Sequence, residues 1–303
     1  MLYGASRIKH IPILLKESVN VLISDADGLY LDCTFGRGGH TKKILQRLSS
    51  KGQLISFDLD DSAMEVAENF NHDNFRFIKT NFSQIDDFIK DNSLTGVLID
   101  CGVSSPQLDE PERGFSFQTK GPLDMRFNQK QKLTCKDIIE KFSEKEISTI
   151  LWKFGEEKES RKIAKFIVKH REKNTINNTL DLAKLIKEAK SVKTKKHPAT
   201  KSFQALRMAV NSEIENLTVC LEKIKDKLIK SGKLVIITFH SLEDRIAKQT
   251  FRPKINFHEK DIPLKHKDVP DEFKISKIIY PSIQEISQNP RARSAKMRII
   301  EKL

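Results

Sequence analysis

The chain has few cysteines and no long hydrophobic run. Its 303 residues include only four cysteines, which are far apart and form no CxxC pair: Cys33, Cys101, Cys135 and Cys220. This spacing excludes the usual disulfide and zinc patterns and is typical of reduced thiols in the cytosol. The apolar run Ile11–Leu15 is too short for the core of a signal peptide, and no stretch approaches 18 apolar residues. We therefore expect a cytoplasmic protein with no membrane segment and no metal site.

Positive charge is in excess but unevenly distributed. Lys and Arg number 54 against 41 Asp and Glu, which gives a net charge of +13. Residues 1–100 have a net charge of −3, whereas residues 101–200 have +8. We expect the first third to hold a small ligand of its own, and the middle and the tail to face a polyanion.

The first hundred residues alternate between β-rich and helical segments. Strands are predicted over Leu29–Cys33, Gln53–Asp58, Phe75–Lys79 and Gly96–Asp100. Helices are predicted between them over Thr41–Leu48, Ser62–Asn69 and Ser83–Lys90. This order predicts an α/β fold with a parallel, doubly wound sheet.

The alternation stops near Pro106, and no convincing strand follows until residue 234. Amphipathic helices are predicted over Thr134–Phe154, Lys158–Arg171, Thr179–Ala189 and Ser202–Lys230. After a turn at Ser231-Gly232, strands are predicted over Leu234–Phe239, Lys277–Tyr280 and Lys296–Ile300. We therefore predict a core of residues 1–105 and 202–303, with residues 106–201 inserted as an all-helical domain for substrate recognition.

The first predicted strand runs into a glycine-rich loop, Asp32–Thr41. Such glycines let the backbone approach a ligand, and an acid at the end of the next strand, here Asp58, suits the hydroxyls of a ribose. Thr41 stands where a dinucleotide fingerprint has its third glycine, which favours S-adenosylmethionine over a nicotinamide cofactor. Asp32 suits a cationic ligand. The alternative is a glycine turn that binds nothing.

Asp100 ends the fourth predicted strand and is followed by the loop Cys101–Gln107. In doubly wound sheets this edge lies near the point where the strand order reverses, and a transferase positions its substrate there. Taken alone, Asp100 fits an ordinary turn or cap acid equally well.

Eight motifs in one order extend these observations along the chain. They are DCTFGRGGHT from Asp32, DCGVSSPQLD from Asp100, ERGFSF from Glu112, GPLDMR from Gly121, HPAT from His197, FQALR from Phe203, FHSLEDR from Phe239 and NPRARS from Asn289. Together they resemble the bacterial 16S ribosomal RNA cytosine-N4 methyltransferases of the MraW/RsmH type, over almost the whole chain. The resemblance implies a Rossmann-like class I S-adenosylmethionine-dependent methyltransferase fold with an inserted helical domain. It also implies methylation of N4 of a cytosine in the decoding region (P site) of 16S ribosomal RNA in the small ribosomal subunit.

The resemblance assigns cofactor contacts to seven residues: Gly38, Gly39, His40, Asp58, Phe82, Asp100 and Gln107. Among them Phe82 is expected along the adenine, although a Phe after a strand more often belongs to the core.

Methylation of N4 requires acceptors for the amino hydrogens, because the lone pair of this nitrogen is delocalised into the ring. Amino-methylating enzymes use a [DNS]-P-P-[YFW] loop after the fourth strand, and Ser105-Pro106-Gln107 matches it in part. We predict Asp100, Ser105, Pro106 and His240 as catalytic residues, with further acceptors at Ser104. Asp100 serving only the methionine amino group, and His240 serving only as a structural hydrogen bonder, are the alternatives.

The target base must leave its stack to reach the methyl group. Phe115 and Phe117 are candidates to stack on it, and the alternative is that both pack under their loop. Arg291 and Arg293 are predicted to contact RNA phosphates, ahead of the basic run Lys193, Lys195 and Lys196.

Three other functions remain open from the residues. They are methylation of amino groups in DNA, a non-catalytic RNA-binding or assembly role, and a nicotinamide dehydrogenase. Transfer of label to DNA would support the first, and cofactor binding without turnover the second. Thr41 and the lack of a plausible hydride-site His/Arg pair argue against the third.

Overall fold

The computed structural model describes residues 12–103, 105–191, 197–253 and 271–303. The chain divides into two compact units, one of residues 1–102 and 216–303 and one of residues 103–215. Prediction from the sequence placed these boundaries at 105/106 and 201/202. No described helix is long and apolar enough to cross a membrane.

The first unit contains a seven-stranded sheet with the order β3-β2-β1-β4-β5-β7-β6. Its strands are β1 (Leu29–Asp32), β2 (Gln53–Asp58), β3 (Phe75–Lys79), β4 (Leu94–Asp100), β5 (Leu228–Thr238), β6 (Phe273–Ile275) and β7 (Lys296–Lys302). Strands β1 to β5 are parallel, and β7 pairs antiparallel with both β5 and β6. The first five strands were predicted, and this topology confirms the Rossmann-like class I fold.

Most helices described in this unit lie between the strands in sequence, and the first precedes β1. They are α1 (Leu15–Leu22), α2 (Gly39–Leu45), α3 (Asp61–Ala67), α10 (Glu213–Lys227, which crosses the boundary between the units), α11 (Ser241–Thr250) and α12 (Ile283–Gln288). A 3-10 helix, Phe82–Asp87, replaces the predicted third helix. Helices α1 and α12 were not predicted.

Two hydrophobic clusters cover the two faces of the sheet. In β4, Val97 and Ile99 belong to one cluster, and Leu98 between them belongs to the other. This alternation follows from the pleat, which turns successive side chains to opposite faces. Every residue of β4 except Asp100 is buried, so the strand holds that one carboxylate at the end of a rigid, apolar element.

The second unit is helical. Its helices are α4 (Ser105–Asp109), α5 (Cys135–Lys141), α6 (Glu144–Gly155), α7 (Ser160–Arg171), α8 (Thr179–Ala189) and α9 (Thr200–Asn211). The single helix predicted over residues 134–154 is two helices, because Thr134 and Ser143 each form a capping box and Phe142 between them is extended. Each capping box satisfies the free N–H groups that a new helix start creates.

The prediction of one long helix over Ser202–Lys230 is also wrong. The helix breaks at Ser212, whose φ of 48° is left-handed and ends α9. The side chain of Asn211 stabilises the chain at this break. Its Oδ1 accepts a hydrogen bond from the N–H of Phe127 at 2.7 Å, and its Nδ2 donates one to the carbonyl of Met125 at 2.8 Å. An ion pair of 2.8 Å between Arg207 and Glu213 spans the break. The contacts of Asn211 come from a distant part of the chain, so helical periodicity alone does not reveal them.

The tail differs from prediction in one strand. The strand expected at Lys277–Tyr280 is wrong, because β6 lies earlier and only Ile279 bridges to Met297. The antiparallel strand at the end of the chain is confirmed as β7. The turn predicted at Ser231-Gly232 is an irregularity within β5, where the pairing with β4 shifts register.

Candidate functional site

The glycine loop after β1 depends on two left-handed glycines. Gly36 and Gly38 have φ values of 54° and 72°, a region that side chains disfavour. A Cβ at Gly36 would face open space, with its nearest neighbour 4.0 Å away, whereas one at Gly38 would lie 2.4 Å from the ring of Phe70. The loop is therefore tightly packed at Gly38 and open at Gly36, where backbone is accessible to a ligand.

Asp32 and Thr41 hold this loop in place. The buried Asp32 carboxylate accepts hydrogen bonds from the backbone N–H of Thr34 at 3.1 Å and from the hydroxyl of Thr41 at 2.7 Å. The Thr41 hydroxyl also lies 2.8 Å from that of Ser56 on β2. Burial raises the pKa of Asp32 to about 6. Both oxygens of Asp32 are thus engaged within the protein, which gives this residue a positioning role.

Asp58 at the end of β2 lies against the glycine loop. Its two carboxylate oxygens accept the backbone N–H of Gly36 at 2.7 Å and that of Asp60 at 2.9 Å. Burial raises its pKa. A carboxylate has about four acceptor positions, so capacity for the two hydroxyls of a ribose remains. The structure thus brings together the loop and the acid that the sequence paired.

Three further predicted cofactor residues belong to the first unit. Gly39 and His40 form the first turn of α2, and His40 is buried. A Cβ at Gly39 would lie 2.2 Å from the ring of Pro12, so the backbone is closely packed here too. Phe82 begins the 3-10 helix after β3, half-buried and packed against the core. Both descriptions of Phe82, as core residue and as wall of a site, fit this position.

Asp100 ends β4 next to the glycine loop. Its backbone N–H donates to the Thr34 hydroxyl at 2.8 Å, and its carboxylate accepts one long hydrogen bond, 3.4 Å, from the N–H of Gly102. Burial raises its pKa to about 7, and the negative charges of Asp32 and Glu243 add to the effect. A desolvated carboxylate with so few partners is suited to binding a cationic group.

His240 follows β5, the strand that pairs with β4, and is the N-cap residue of α11. Its Nε2 approaches Oε1 of Glu243 to 2.8 Å, at an angle unsuited to a hydrogen bond. Both ring nitrogens are buried and lack a hydrogen-bond partner among the described residues. Glu243 is 2% exposed, and its other oxygen accepts the N–H of Phe239 at 2.9 Å. The proximity of Glu243 to His240 was not predicted from the sequence.

The remaining predicted residues of the substrate site belong to the second unit. Ser105, Pro106 and Gln107 lie in α4, where the Gln107 side chain is buried. Ser104 lies outside the described residues, as do Lys193, Lys195 and Lys196.

The two aromatic candidates for base stacking differ in exposure. Phe115 is 6% exposed and stacks on Phe127, with ring centroids 5.6 Å apart. Of the two readings of Phe115, packing under the loop is the one that this arrangement shows. Phe117 is half-buried and stacks on the exposed His197, with ring centroids 4.6 Å apart.

Arg291 and Arg293 lie in the first unit, on the 3-10 helix Pro290–Ser294. Both side chains are exposed, whereas Ala292 between them is buried in the core. The turn is therefore anchored through Ala292 and presents the two guanidinium groups outward. Within the described ranges, no group of three or more His, Cys, Asp or Glu side chains is arranged to bind a metal.

The first unit fits S-adenosylmethionine on these observations. The open backbone at Gly36 and the carboxylate of Asp58 suit the nucleoside, and the underbonded Asp100 suits the positive charges of the methionine part. The fit rests on the donor and acceptor groups, which match a cationic nucleoside better than they match a pyrophosphate.

Several curated proteins are similar to this chain over almost its full length. Three curated relatives, each named Ribosomal RNA small subunit methyltransferase H, come from Caldicellulosiruptor saccharolyticus, Mycoplasma mycoides subsp. mycoides and Legionella pneumophila (strain Paris). They are 43%, 44% and 44% identical to this chain, and each match covers 97% of the chain and 99% of the relative. The model of the MraW methylase family matches residues 7–303. The cofactor of this chain is S-adenosylmethionine. From its match to the family model and to these relatives, the chain belongs to the MraW methylase family.

Proposed function

We propose that this protein transfers a methyl group to N4 of a cytosine in the decoding region (P site) of 16S ribosomal RNA, in the small ribosomal subunit. The observation that carries the proposal is the near full-length match to relatives named for ribosomal RNA of the small subunit. The acceptor base and atom come from the eight motifs described above, and the cytoplasm is the expected location.

The cofactor supplies an electrophilic methyl group on a sulfonium. In the proposal, Asp58 binds the ribose, and Gly38, Gly39 and His40 line the glycine loop. Phe82 lies along the adenine, and Gln107 is a further residue that contacts the cofactor. Asp100 binds the cationic part, because its desolvated carboxylate gains most from a nearby positive charge.

The N4 amino group needs hydrogen-bond acceptors that turn its lone pair toward the methyl group. We assign this to Ser105 and Pro106, through a side-chain oxygen and a backbone carbonyl, with Asp100 near them. Once the new N–C bond forms, N4 must lose a proton. His240 accepts it at a ring nitrogen, and Glu243, whose oxygen is 2.8 Å from Nε2, stabilises the resulting imidazolium.

RNA contacts follow from the exposed basic and aromatic side chains. Arg291 and Arg293 bind phosphates, since both point outward from an anchored turn. Phe115 was predicted to stack on the flipped base, and in the proposal it does so only after moving from its buried position. Phe117, which is less buried, is the second candidate for this role, although one face of its ring already stacks on His197.

The test uses small ribosomal subunits that lack the modification, the pure protein and methyl-labelled S-adenosylmethionine. We expect label in 16S RNA, recovered as N4-methylcytidine after digestion. Label on another nucleoside would refute the assigned atom, and label on DNA would refute the substrate. Cofactor binding by calorimetry without any transfer would identify a non-catalytic assembly factor.

A further inference from the structure

The second unit carries an exposed tryptophan inside a basic groove. Trp152 is the only tryptophan of the chain, and its side chain is 60% exposed. It lies on α6, in a groove completed by the residues at the start of α7. An exposed aromatic side chain in a groove that also holds cations is a combination found where proteins bind single-stranded nucleic acid.

Three cations flank this tryptophan. Lys145 precedes it by two helical turns on the same face of α6, and Lys158 and Arg161 lie at the start of α7. All three are exposed and make no ion pair with the described residues. Glu159 in the same groove is engaged elsewhere, because its Oε1 accepts the N–H of Ser191 at 2.9 Å. With Lys162 and Glu144 included, four cations and two carboxylates line the groove, so its charge is net positive.

We propose that this groove, defined by Lys145, Trp152, Lys158 and Arg161, binds a single-stranded segment of RNA. Proteins that bind single strands combine an aromatic side chain, on which a base stacks, with cations that follow the backbone. A duplex is a poor occupant because its bases are stacked on each other and do not reach an aromatic side chain. The excess of unpaired cations excludes a basic protein surface as the occupant.

The proposal rests on RNA being the substrate, and it adds a second contact region outside the residues assigned to cofactor and target base. Its function is to hold the RNA, so it acts on the affinity for the substrate and leaves the methyl-transfer step unchanged. This predicts an effect on KM with little change in kcat.

The first experiment uses the fluorescence of Trp152, which reports on the groove directly because no other tryptophan is present. The full chain is titrated with an unstructured 12-nucleotide oligouridylate, and we expect saturable quenching that weakens as salt is raised. A 12-base-pair RNA duplex is the control and should quench far less. No quenching by the single strand would overturn the proposal.

The second experiment measures binding of a fluorescein-labelled oligouridylate by anisotropy. We expect Trp152→Ala to weaken binding about tenfold. The triple variant Lys145→Ala, Lys158→Ala, Arg161→Ala should lower the slope of log affinity against log salt by about 2. The matched control, Lys173→Ala, Lys184→Ala, Lys187→Ala, removes the same charge from exposed positions elsewhere on this unit and should not change binding at Trp152. Equal weakening by both triple variants would show general charge attraction and would refute the groove.

The two proposals fail in different ways. Methyl transfer to small subunits by the unchanged chain, with KM insensitive to Trp152→Ala and to the groove triple variant, would refute the groove alone. Oligouridylate binding that depends on the groove, without any transfer to small subunits, would refute the proposed function alone. If Trp152→Ala does not fold, as judged by circular dichroism, Trp152→Leu, which keeps an apolar side chain but removes the aromatic face, and the triple variant decide the result.

Discussion

The charge of Asp100 should destabilise the protein when no ligand is bound. Its pKa is raised to about 7 from an ordinary value of 3.8, mainly because the half-buried carboxylate at the end of β4 is desolvated. A shift of about 3 units corresponds to about 4 kcal/mol. Because the folded-state pKa is raised, the folded chain binds more protons than the unfolded chain between these two pH values. Stability therefore falls as pH rises from about 4 to about 7.

The variant Asp100→Asn isolates this effect, since the amide has the same shape and can still accept the N–H of Gly102. Below pH 4 both chains are neutral at this position and should be equally stable. Above pH 7 the variant should be more stable by up to about 4 kcal/mol. Asp32 contributes a slope of the same sign, so the difference between the two chains is the quantity to measure, by urea unfolding from pH 4 to 8. The exposed Asp87→Asn is the control.

The same variant should lose cofactor affinity, because S-adenosylmethionine favours the ionised carboxylate. In the unchanged chain, affinity should fall up to about tenfold per pH unit below pH 7. In Asp100→Asn that dependence should be absent. An Asp100→Asn chain that is less stable than the original at pH 8, or that binds the cofactor as tightly, would refute the reasoning.

Three further substitutions test other parts of the site. Thr41→Val should lower the free energy of unfolding by about 2 kcal/mol, because buried Asp32 loses a hydrogen bond, and Thr41→Ser should restore most of it in the same urea titration. Gly38→Ala should lower the free energy of unfolding by about 1–3 kcal/mol, because φ is positive and the ring of Phe70 occupies the space of the new Cβ. It should also weaken cofactor binding in calorimetry, and normal affinity would contradict this. His240→Gln should lower kcat about 100-fold, with cofactor affinity kept within twofold; unchanged kcat would assign His240 a structural role.

The sequence predicted the parallel part of the sheet well because its signals are local. Strands β2 and β3 were predicted with the observed bounds, since each is a β-rich segment between turn residues. The glycine loop and Asp58 could also be predicted from the sequence, because a nucleoside site requires particular residue types at short spacing. That these residues meet follows from parallel strands, whose carboxyl ends share one edge of the sheet.

The sequence misled, or left alternatives open, where contacts made in the folded chain decide the local structure. The break at Ser212 depends on the binding of Asn211 to the backbone around Met125, 86 residues away in sequence. The burial of Phe115 depends in the same way on Phe127, its stacking partner. The contact of His240 with Glu243 depends on how the end of β5 enters α11. None of these follows from periodicity or residue type.

The insertion of residues 103–215 has a consequence for the order of events during synthesis. Strand β4 pairs with β5, yet about 130 residues of chain separate the end of one from the start of the other. At translation rates of about 5–20 residues per second, β4 leaves the ribosome roughly 6 to 26 s before its partner. During that interval its apolar edge has unpaired N–H and C=O groups, which is a known cause of aggregation. The helical unit is compact by itself and can complete its folding in that time, so the sheet that holds the cofactor is the last part of the molecule to close.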